Sequence, residues 1–539
     1  VLTNWIYADV LEAIAIEQPD APAISQGATR RNWKELIDRS RSLGAAFLEA
    51  GLGHQSKVAL YTYNAPEYLE GVVAALGVGM VPINTNYRYQ STELLYLWEN
   101  ADAEAVIFHG SFSQQVAELR SKLPLVKLWI HVDDGSSTCP DFAVGFESLA
   151  QSGSSPQGFV RTPDDLIMLY TGGTTGMPKG VMWRQDDLFA RLNAGGFRRW
   201  PESGDLKAIT EAVRDSGPGQ NLIPACPLMH GTGLFSALEC LAEAGHVVLL
   251  ESRRYDAVEM ASSIERESVN TVVIVGDPFA RPLLQALQAE PGRFDLSSLN
   301  AMLSSGAMWS EEIKSGLLEI HGSMILIDAF SSSEALGMGS SVSAKGKSAH
   351  TGSFSLGPEV RVVNDQGQDI EAGSDEIGVL ALGGRNPLGY YKDEKKSAAT
   401  FKIIDGKRYS VPGDFAKVHA DGGIQLLGRG SQCINTAGEK VFPEEVEEVL
   451  KTHPAVADAC VVGIPDERYG ERVVASAELH AGQQIEAEAL IAHVRANLSH
   501  YKAPRQVRII SSIGRSPSGK MDYGRHREEA MVWAQSPQN

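Results

Sequence analysis

Tyr170-Thr-Gly-Gly-Thr-Thr-Gly-Met-Pro-Lys-Gly180 follows directly on the apolar run Leu166-Ile-Met-Leu169. An apolar run of that length ahead of a Gly-rich stretch predicts a buried strand that empties into a loop. The six residues Thr171, Gly172, Gly173, Thr174, Thr175 and Gly176 comprise three glycines and three threonines. Glycine lets a ligand come close to the backbone, consecutive N–H groups form an anion-binding nest, and the hydroxyls add donors. A polyphosphate asks for that combination. The pattern is not a Walker loop, which needs Gly-x-x-x-x-Gly-Lys-Ser/Thr. Here Lys179 stands three residues after Gly176, behind Pro178.

Outward from this loop, the first three hundred residues alternate short apolar runs with amphipathic stretches. Lys57–Thr62, Val81–Asn84, Ala105–Phe108, Leu128–His131, Val247–Leu250 and Thr271–Val275 read as strands, Pro66–Leu76 and Asp256–Glu267 as helices. That alternation predicts parallel sheets covered by helices. From about Ser353 to Gly428 short strands with turn signals predict a small antiparallel β section. After Gly430 an α+β segment is expected, with a helix opening at Pro443, since proline favours the first helical position. Strands are expected at 457–462 and 472–478, and a helix over 486–498. The polar, Gly/Pro-punctuated stretch Trp200–Gly219 reads as an insertion beside the active site.

Five further segments carry chemistry. The strand-like run Met324-Ile-Leu-Ile327 leads into Asp-Ala-Phe330-Ser331-Ser-Ser333-Glu334. Tyr409-Ser-Val-Pro-Gly-Asp414 precedes Gly428-Arg429, then Gly438-Glu-Lys-Val-Phe-Pro443, and Pro517-Ser-Gly-Lys520 lies near the C-terminus. With Thr171–Gly180 these motifs, in this order, resemble the adenylate-forming enzymes: acyl-CoA synthetases, aryl-acid ligases, firefly-type luciferases and peptide-synthetase adenylation domains. The resemblance covers almost the whole chain. It implies an α/β fold with a large N-terminal AMP-binding domain, residues 1–431, and a small mobile α+β domain, residues 432–539. Phe330 replaces the family's tyrosine, Ser331 a glycine, Ser333 a threonine, and Gln432 the usual Asp or Lys pivot.

The resemblance also implies roles. Thr171, Gly172, Gly173, Thr174, Thr175, Gly176 and Lys179 would belong to the ATP-binding loop. Ser333 would donate to the α-phosphate, and Glu334 would be the Mg²⁺ ligand, because a hard cation bridging phosphates takes one or two protein carboxylates. Phe330 would stack on adenine, with Ser305, Gly306 and Ala307 lining its other side. Asp414 can accept both ribose hydroxyls, since one carboxylate takes two O–H donors, and Arg429 would reach the ribose or a phosphate. Lys520 would bridge the carboxylate and the α-phosphate during adenylation, and Gly438 would admit the pantetheine arm of coenzyme A after the small domain turns.

His230, in Pro227-Leu-Met-His230-Gly231, falls where the family places an aromatic or histidine beside the substrate carboxylate. An amino-acid-activating site would want an acidic residue just beyond it, and Gly231–Leu238 supplies none. An apolar acid is expected, lined by Leu234, Phe235, Val275, Gly276 and Phe279. Val181-Met-Trp-Arg184, the insertion after Trp200 and Pro224–His230 are similar to bacterial long-chain and sterol side-chain CoA ligases. The expected reaction joins a carboxylic acid to coenzyme A, with ATP going to AMP and pyrophosphate. Alternatives are an acyl-AMP ligase that loads a separate carrier protein, a luciferase-like transfer to oxygen, and a non-catalytic nucleotide-binding relative. An esterase reading of His230-Gly-Thr-Gly233 fails for want of a Gly-x-Ser-x-Gly elbow.

Composition sets outer bounds. The chain has 539 residues, 43% hydrophobic and 21% charged, enough for more than one core. A net charge of −19 argues against nucleic acid as a partner. Five scattered cysteines without a C-x-x-C pair predict reduced thiols. No apolar run approaches a membrane span and no leader is evident, so a cytoplasmic enzyme without an integral membrane segment is expected, with room for a homodimer.

Overall fold

The computed structural model describes residues 4–171, 177–202, 204–347, 349–436, 439–466, 470–517 and 519–534. Among these residues the strands form sheets of fifteen, eight and five members. In the eight-stranded sheet, Val81–Asn84, Lys57–Tyr61, Ala103–His109 and Leu128–Val132 lie parallel. Their interiors are largely apolar and buried (Pro82-Ile83, Val58-Ala-Leu60, Ala105-Val-Ile-Phe108 and Trp129-Ile130), as a sheet covered on both faces requires. Leu166–Thr171 joins them in parallel through Ile83 and Met168, and Lys179–Arg184 then pairs back antiparallel, with Thr171 opposite Lys179.

The largest sheet begins the same way. Pro22–Gln26, His246–Leu249, Asn221–Pro224, Thr271–Ile274, Ala301–Ser304 and Ile325–Ser332 run parallel in that spatial order. At Ile325–Ser332 the sheet changes hand: Ala335–Ser343 turns back antiparallel, and the β section follows on in the same hydrogen-bonded sheet. The antiparallel texture expected over 353–428 is therefore present, but continuous with the parallel sheet.

Helices cover these sheets where local chemistry opens them. Trp33–Glu49 starts at Asn32, whose side chain accepts from the Glu35 N–H at 2.8 Å while Glu35 returns a bond to the Asn32 N–H at 3.0 Å. Pro66–Gly77 and Pro443–Lys451 both begin on proline. A separate apolar cluster of Ile434, Val446, Val461, Val473, Leu490 and Val494 fills the C-terminal α+β part. Between it and the larger part, Gly430–Gln432 is one turn of 3₁₀ helix.

One expectation is corrected. The insertion forms the helix Leu206–Ser216, but it does not lie beside the cleft that holds the motif residues. Its buried face, Ile209 and Val213, packs toward the helix Tyr7–Glu17, and Arg214 pairs with Glu17 at 2.7 Å. The Trp200 indole donates to the Ala242 carbonyl at 2.8 Å, at the C-terminal end of the helix Gly231–Ala242 whose other end carries His230. The amphipathic pattern, rather than polarity, decided where this segment docked.

Candidate active site

The loop-bearing strand and the His230 turn are held together by asparagines at the C-terminal ends of two neighbouring parallel strands or just beyond. Asn84 is buried and accepts from the Tyr170 N–H at 2.6 Å, and its amide donates to the carbonyls of Tyr170 at 2.8 Å and Met229 at 2.6 Å. Asn64 accepts from the Leu228 N–H at 2.8 Å and donates to the Cys226 carbonyl at 3.1 Å. Backbone groups that no ladder could satisfy thereby find partners, and His230 is fixed at the mouth of its helix. Burial, then the Lys520 charge, pushes the His230 imidazole down to about 3. At neutral pH it is an uncharged ring.

Ser333 and Glu334 occupy the tight turn between Ile325–Ser332 and Ala335–Ser343. The Trp183 indole donates to the Ser333 carbonyl at 2.9 Å, and the Tyr390 hydroxyl donates to Glu334 Oε1 at 2.8 Å. Ser331, where the family has glycine, does not need a left-handed backbone; its hydroxyl accepts from the Gly337 N–H at 2.9 Å. Phe330 lies against Phe354, ring centroids 5.6 Å apart. Lys179 pairs with Asp393 at 2.7 Å and stands over the Tyr390 ring.

Asp414 and Arg429 face each other across the pair Asp414–Val418 and Ile424–Arg429, the guanidinium Nε 3.2 Å from Oδ1. Asp414 Oδ2 is buried and has no partner. Burial raises the Asp414 carboxyl despite Arg429, while Asp414 first, and Glu334 after it, hold the Arg429 guanidinium up. A buried orphan acceptor is costly unless a ligand supplies a donor. Gly306 has φ +97, and a Cβ there would lie 4.0 Å from Lys520 Cε.

Lys520 comes from the far C-terminal part. Its turn is closed by the Gly519 N–H donating to the Ser516 carbonyl at 2.8 Å and the Lys520 N–H to Ser516 Oγ at 3.0 Å. Gly519, at φ +74, sits so close to Val275 and Pro278 that a Cβ would approach the Val275 carbonyl to 3.0 Å. The ammonium is water-accessible yet enclosed by protein, so it lines a cleft rather than the outer surface. Burial lowers its proton affinity, Arg429 lowers it further, and Glu334 opposes both.

The fold thus gathers His230, Gly306, Glu334, Asp414, Arg429 and Lys520 about one cleft, with Ser333 and Phe330 on the hairpin that carries Glu334. Gly172, Gly173, Thr174, Thr175, Gly176 and Gly438 lie outside the described residues. Leu234, Phe235, Val275 and Phe279, expected to line the acyl pocket, are buried in the main core. Sequence reading missed Asn64, Asn84, Tyr390 and Asp393. The only signal for Asn84 was a polar residue closing an apolar strand.

Over residues 11–391 the chain matches the family described as AMP-binding enzyme, and over 445–520 the AMP-binding enzyme C-terminal domain. The chain belongs to the AMP-binding enzyme family. This AMP-binding enzyme is 40% identical to the medium-chain acyl-CoA ligase Mig of Mycobacterium avium, across 98% of this chain and 99% of that one. It is 39% identical to a 3-oxocholest-4-en-26-oate–CoA ligase of Rhodococcus rhodochrous, covering 96% and 94%. The crystal structure of the anthranilate CoA ligase AuaEII in complex with anthranoyl-AMP superposes with a TM-score of 0.83 over 99% of both chains at 20% identity, a likeness of fold. The resemblance drawn from the motifs is borne out.

Proposed function

We propose that this AMP-binding enzyme is an acyl-CoA ligase for apolar carboxylic acids, acting through an acyl-adenylate. The observation that carries the reading is the placement of Lys520 across the cleft from Gly306, within the field of Glu334, Arg429 and His230. The relatives named as medium-chain and sterol side-chain ligases support the substrate class.

In the first step a carboxylate oxygen attacks the α-phosphorus of ATP and pyrophosphate leaves. The buried free oxygen of Asp414 accepts from the ribose hydroxyls, and Ser333 donates to the α-phosphate. Lys520 offsets charge that grows on the phosphorus oxygens, where a preorganised cation in a water-poor cleft is most effective. Neutral His230 donates to the acid without competing for a proton. In the second step the coenzyme A thiolate attacks the acyl carbonyl and AMP departs. Residues 1–431 and 432–539 form the two units of this reading, with the turn Gly430–Gln432 as the pivot.

Mg²⁺ fits this donor set with one protein carboxylate. Among the described residues no cluster of three ligating side chains exists. Glu334, one oxygen held by Tyr390, would offer its other oxygen to the cation. The cation would neutralise charge on the leaving pyrophosphate. We place the enzyme in the cytoplasm: none of the five cysteines is in a disulfide, and among the described residues no helix is long and apolar enough to cross a membrane.

The test is AMP release from a panel of acids with and without coenzyme A. Thioester formation from medium-to-long or alicyclic acids is expected. Adenylate release without thioester would instead favour a carrier-loading enzyme, and preference for an amino acid would overturn the apolar-acid reading.

A further inference from the structure

The turn that carries Glu334 is gripped from two sides. On one, the Trp183 indole donates to the Ser333 carbonyl at 2.9 Å and fixes the backbone. On the other, the Tyr390 hydroxyl donates to Glu334 Oε1 at 2.8 Å and fixes the carboxylate. Burial, then the Glu334 charge, raises the Tyr390 phenol, so near neutral pH it stays a donor. Glu334 is nearly buried, and among the described residues Oε2 makes no hydrogen bond or ion pair. One carboxylate oxygen is thus committed to the phenol, leaving the other for a cation.

Tyr390 is itself held so that the phenol does not swing away. Gly389–Tyr390 is a short strand paired antiparallel with Lys179–Arg184, Tyr390 opposite Val181. On either side of it the Leu388 N–H donates to the Met182 carbonyl and the Tyr391 N–H to the Gly180 carbonyl, both at 2.8 Å. The Tyr390 N–H donates to Ser397 Oγ at 2.8 Å, and its buried ring lies 6.0 Å from that of Phe401. Three residues on, Asp393 pairs with Lys179 at 2.7 Å and accepts from the Lys396 N–H at 2.9 Å, which opens the helix Glu394–Thr400. The segment 388–393 is therefore a strap tied to the strand that leaves the Gly-rich loop, and its phenol points at the metal-binding carboxylate.

Divalent cations differ in what they ask of a carboxylate. Mg²⁺ is small and keeps several waters, so a single carboxylate oxygen suits it, whereas Ca²⁺ gathers more oxygens and readily takes both from one carboxylate. We propose that Tyr390 is a positioning residue that restricts Glu334 to one oxygen, and so makes the enzyme select Mg·ATP over Ca·ATP. The inference rests on Glu334 as the metal ligand of the acyl-CoA ligase reading and adds what decides the ion. A cation that takes both oxygens must displace the Tyr390 hydroxyl and leave a buried donor unpaired, which is costly. A cation content with one oxygen meets a carboxylate already oriented for it.

Isothermal titration of the full chain with ATP, in Mg²⁺ or in Ca²⁺ and without an acid, reads binding apart from turnover. Wild type, Tyr390→Phe and Glu334→Gln are compared, with thermal unfolding run alongside. Wild type is expected to bind Mg·ATP about tenfold or more tighter than Ca·ATP. Tyr390→Phe, which removes one oxygen and keeps the ring against Phe401, should weaken Mg·ATP about tenfold and change Ca·ATP by no more than about threefold. The selectivity ratio is the readout that a role in packing alone would not move, since packing would weaken both nucleotides alike. An unchanged ratio in Tyr390→Phe overturns the inference and leaves the ligase reading intact. A wild-type ratio near one does the same, and that measurement needs no variant should Tyr390→Phe fail to fold. Glu334→Gln should lose affinity for Mg·ATP about tenfold or more. If it binds Mg·ATP as wild type does, the assignment of Glu334 as metal ligand falls and the inference falls with it.

Discussion

At the scale of single residues the cleft separates groups that act on charge from groups that only hold others in place. Lys520 belongs to the first kind. Lys520→Ala should lower adenylate formation by at least about a hundredfold, the order lost with one preorganised stabilising group. Thioester formation from synthetic acyl-AMP and coenzyme A should fall by no more than about threefold, because the lysine meets only the first transition state. Equal collapse of both half-reactions would contradict that division. Asn84 belongs to the second kind, since its three hydrogen bonds all go to backbone. Asn84→Ala strands them in a buried place and should cost about 2–4 kcal/mol, read by urea unfolding. ATP affinity should fall with it, because Tyr170 leads directly into the loop. Isothermal titration with ATP checks this, and unchanged binding would detach Asn84 from the loop.

At the scale of elements, the helix Pro443–Lys451 shows what holds the C-terminal part against the larger one. Glu444 packs on Gly428 so closely that a Cβ there would lie 2.2 Å from Glu444 Oε2, and Gly428 adopts φ +114 to permit it. Oε2 is buried without a partner. Burial, then Glu447, raises the Glu444 carboxyl, so the packed state holds a proton that the released state gives up near the ordinary carboxylate range. Packing is thus unhindered at low pH and weakens as pH rises past that range. Glu444→Gln should remove the penalty: its unfolding temperature should match wild type near about pH 5 and exceed it by about 2 °C or more near about pH 8. A gap independent of pH would assign the effect to another group.

Elements were also where the sequence spoke most clearly. Val81–Asn84 and the helix Pro66–Gly77 were readable to within a residue, because continuous apolar runs and an N1 proline are local signals. Glu334, Asp414 and Lys520 were legible because each lies in a short motif of fixed spacing. Tyr390 and Asn84 were not, since their meaning lies in partners 56 and 145 residues away. The insertion was misplaced because its polarity suggested the cleft, whereas Ile209 and Val213 took it to the helix Tyr7–Glu17.

At the scale of the whole molecule, an apolar path for the acid beside His230 would make chain length register in kcat/KM. Along a series of plain saturated acids each methylene should add about threefold to fourfold, from roughly 0.8 kcal/mol of burial. The gain should level off where the apolar path ends, and a flat profile from acetate to dodecanoate would sink the apolar-path reading. The two asparagines have a different consequence. Asn84 closes and Asn64 follows a strand of the eight-stranded sheet, yet the turn Cys226–Met229 that they grip leaves a strand of the fifteen-stranded one. Neither sheet owns a finished catalytic centre. Recombination between relatives that breaks the chain between residues 84 and 226 would mate a turn with asparagines selected for another turn, and the natural module to transplant is that grip with both its halves.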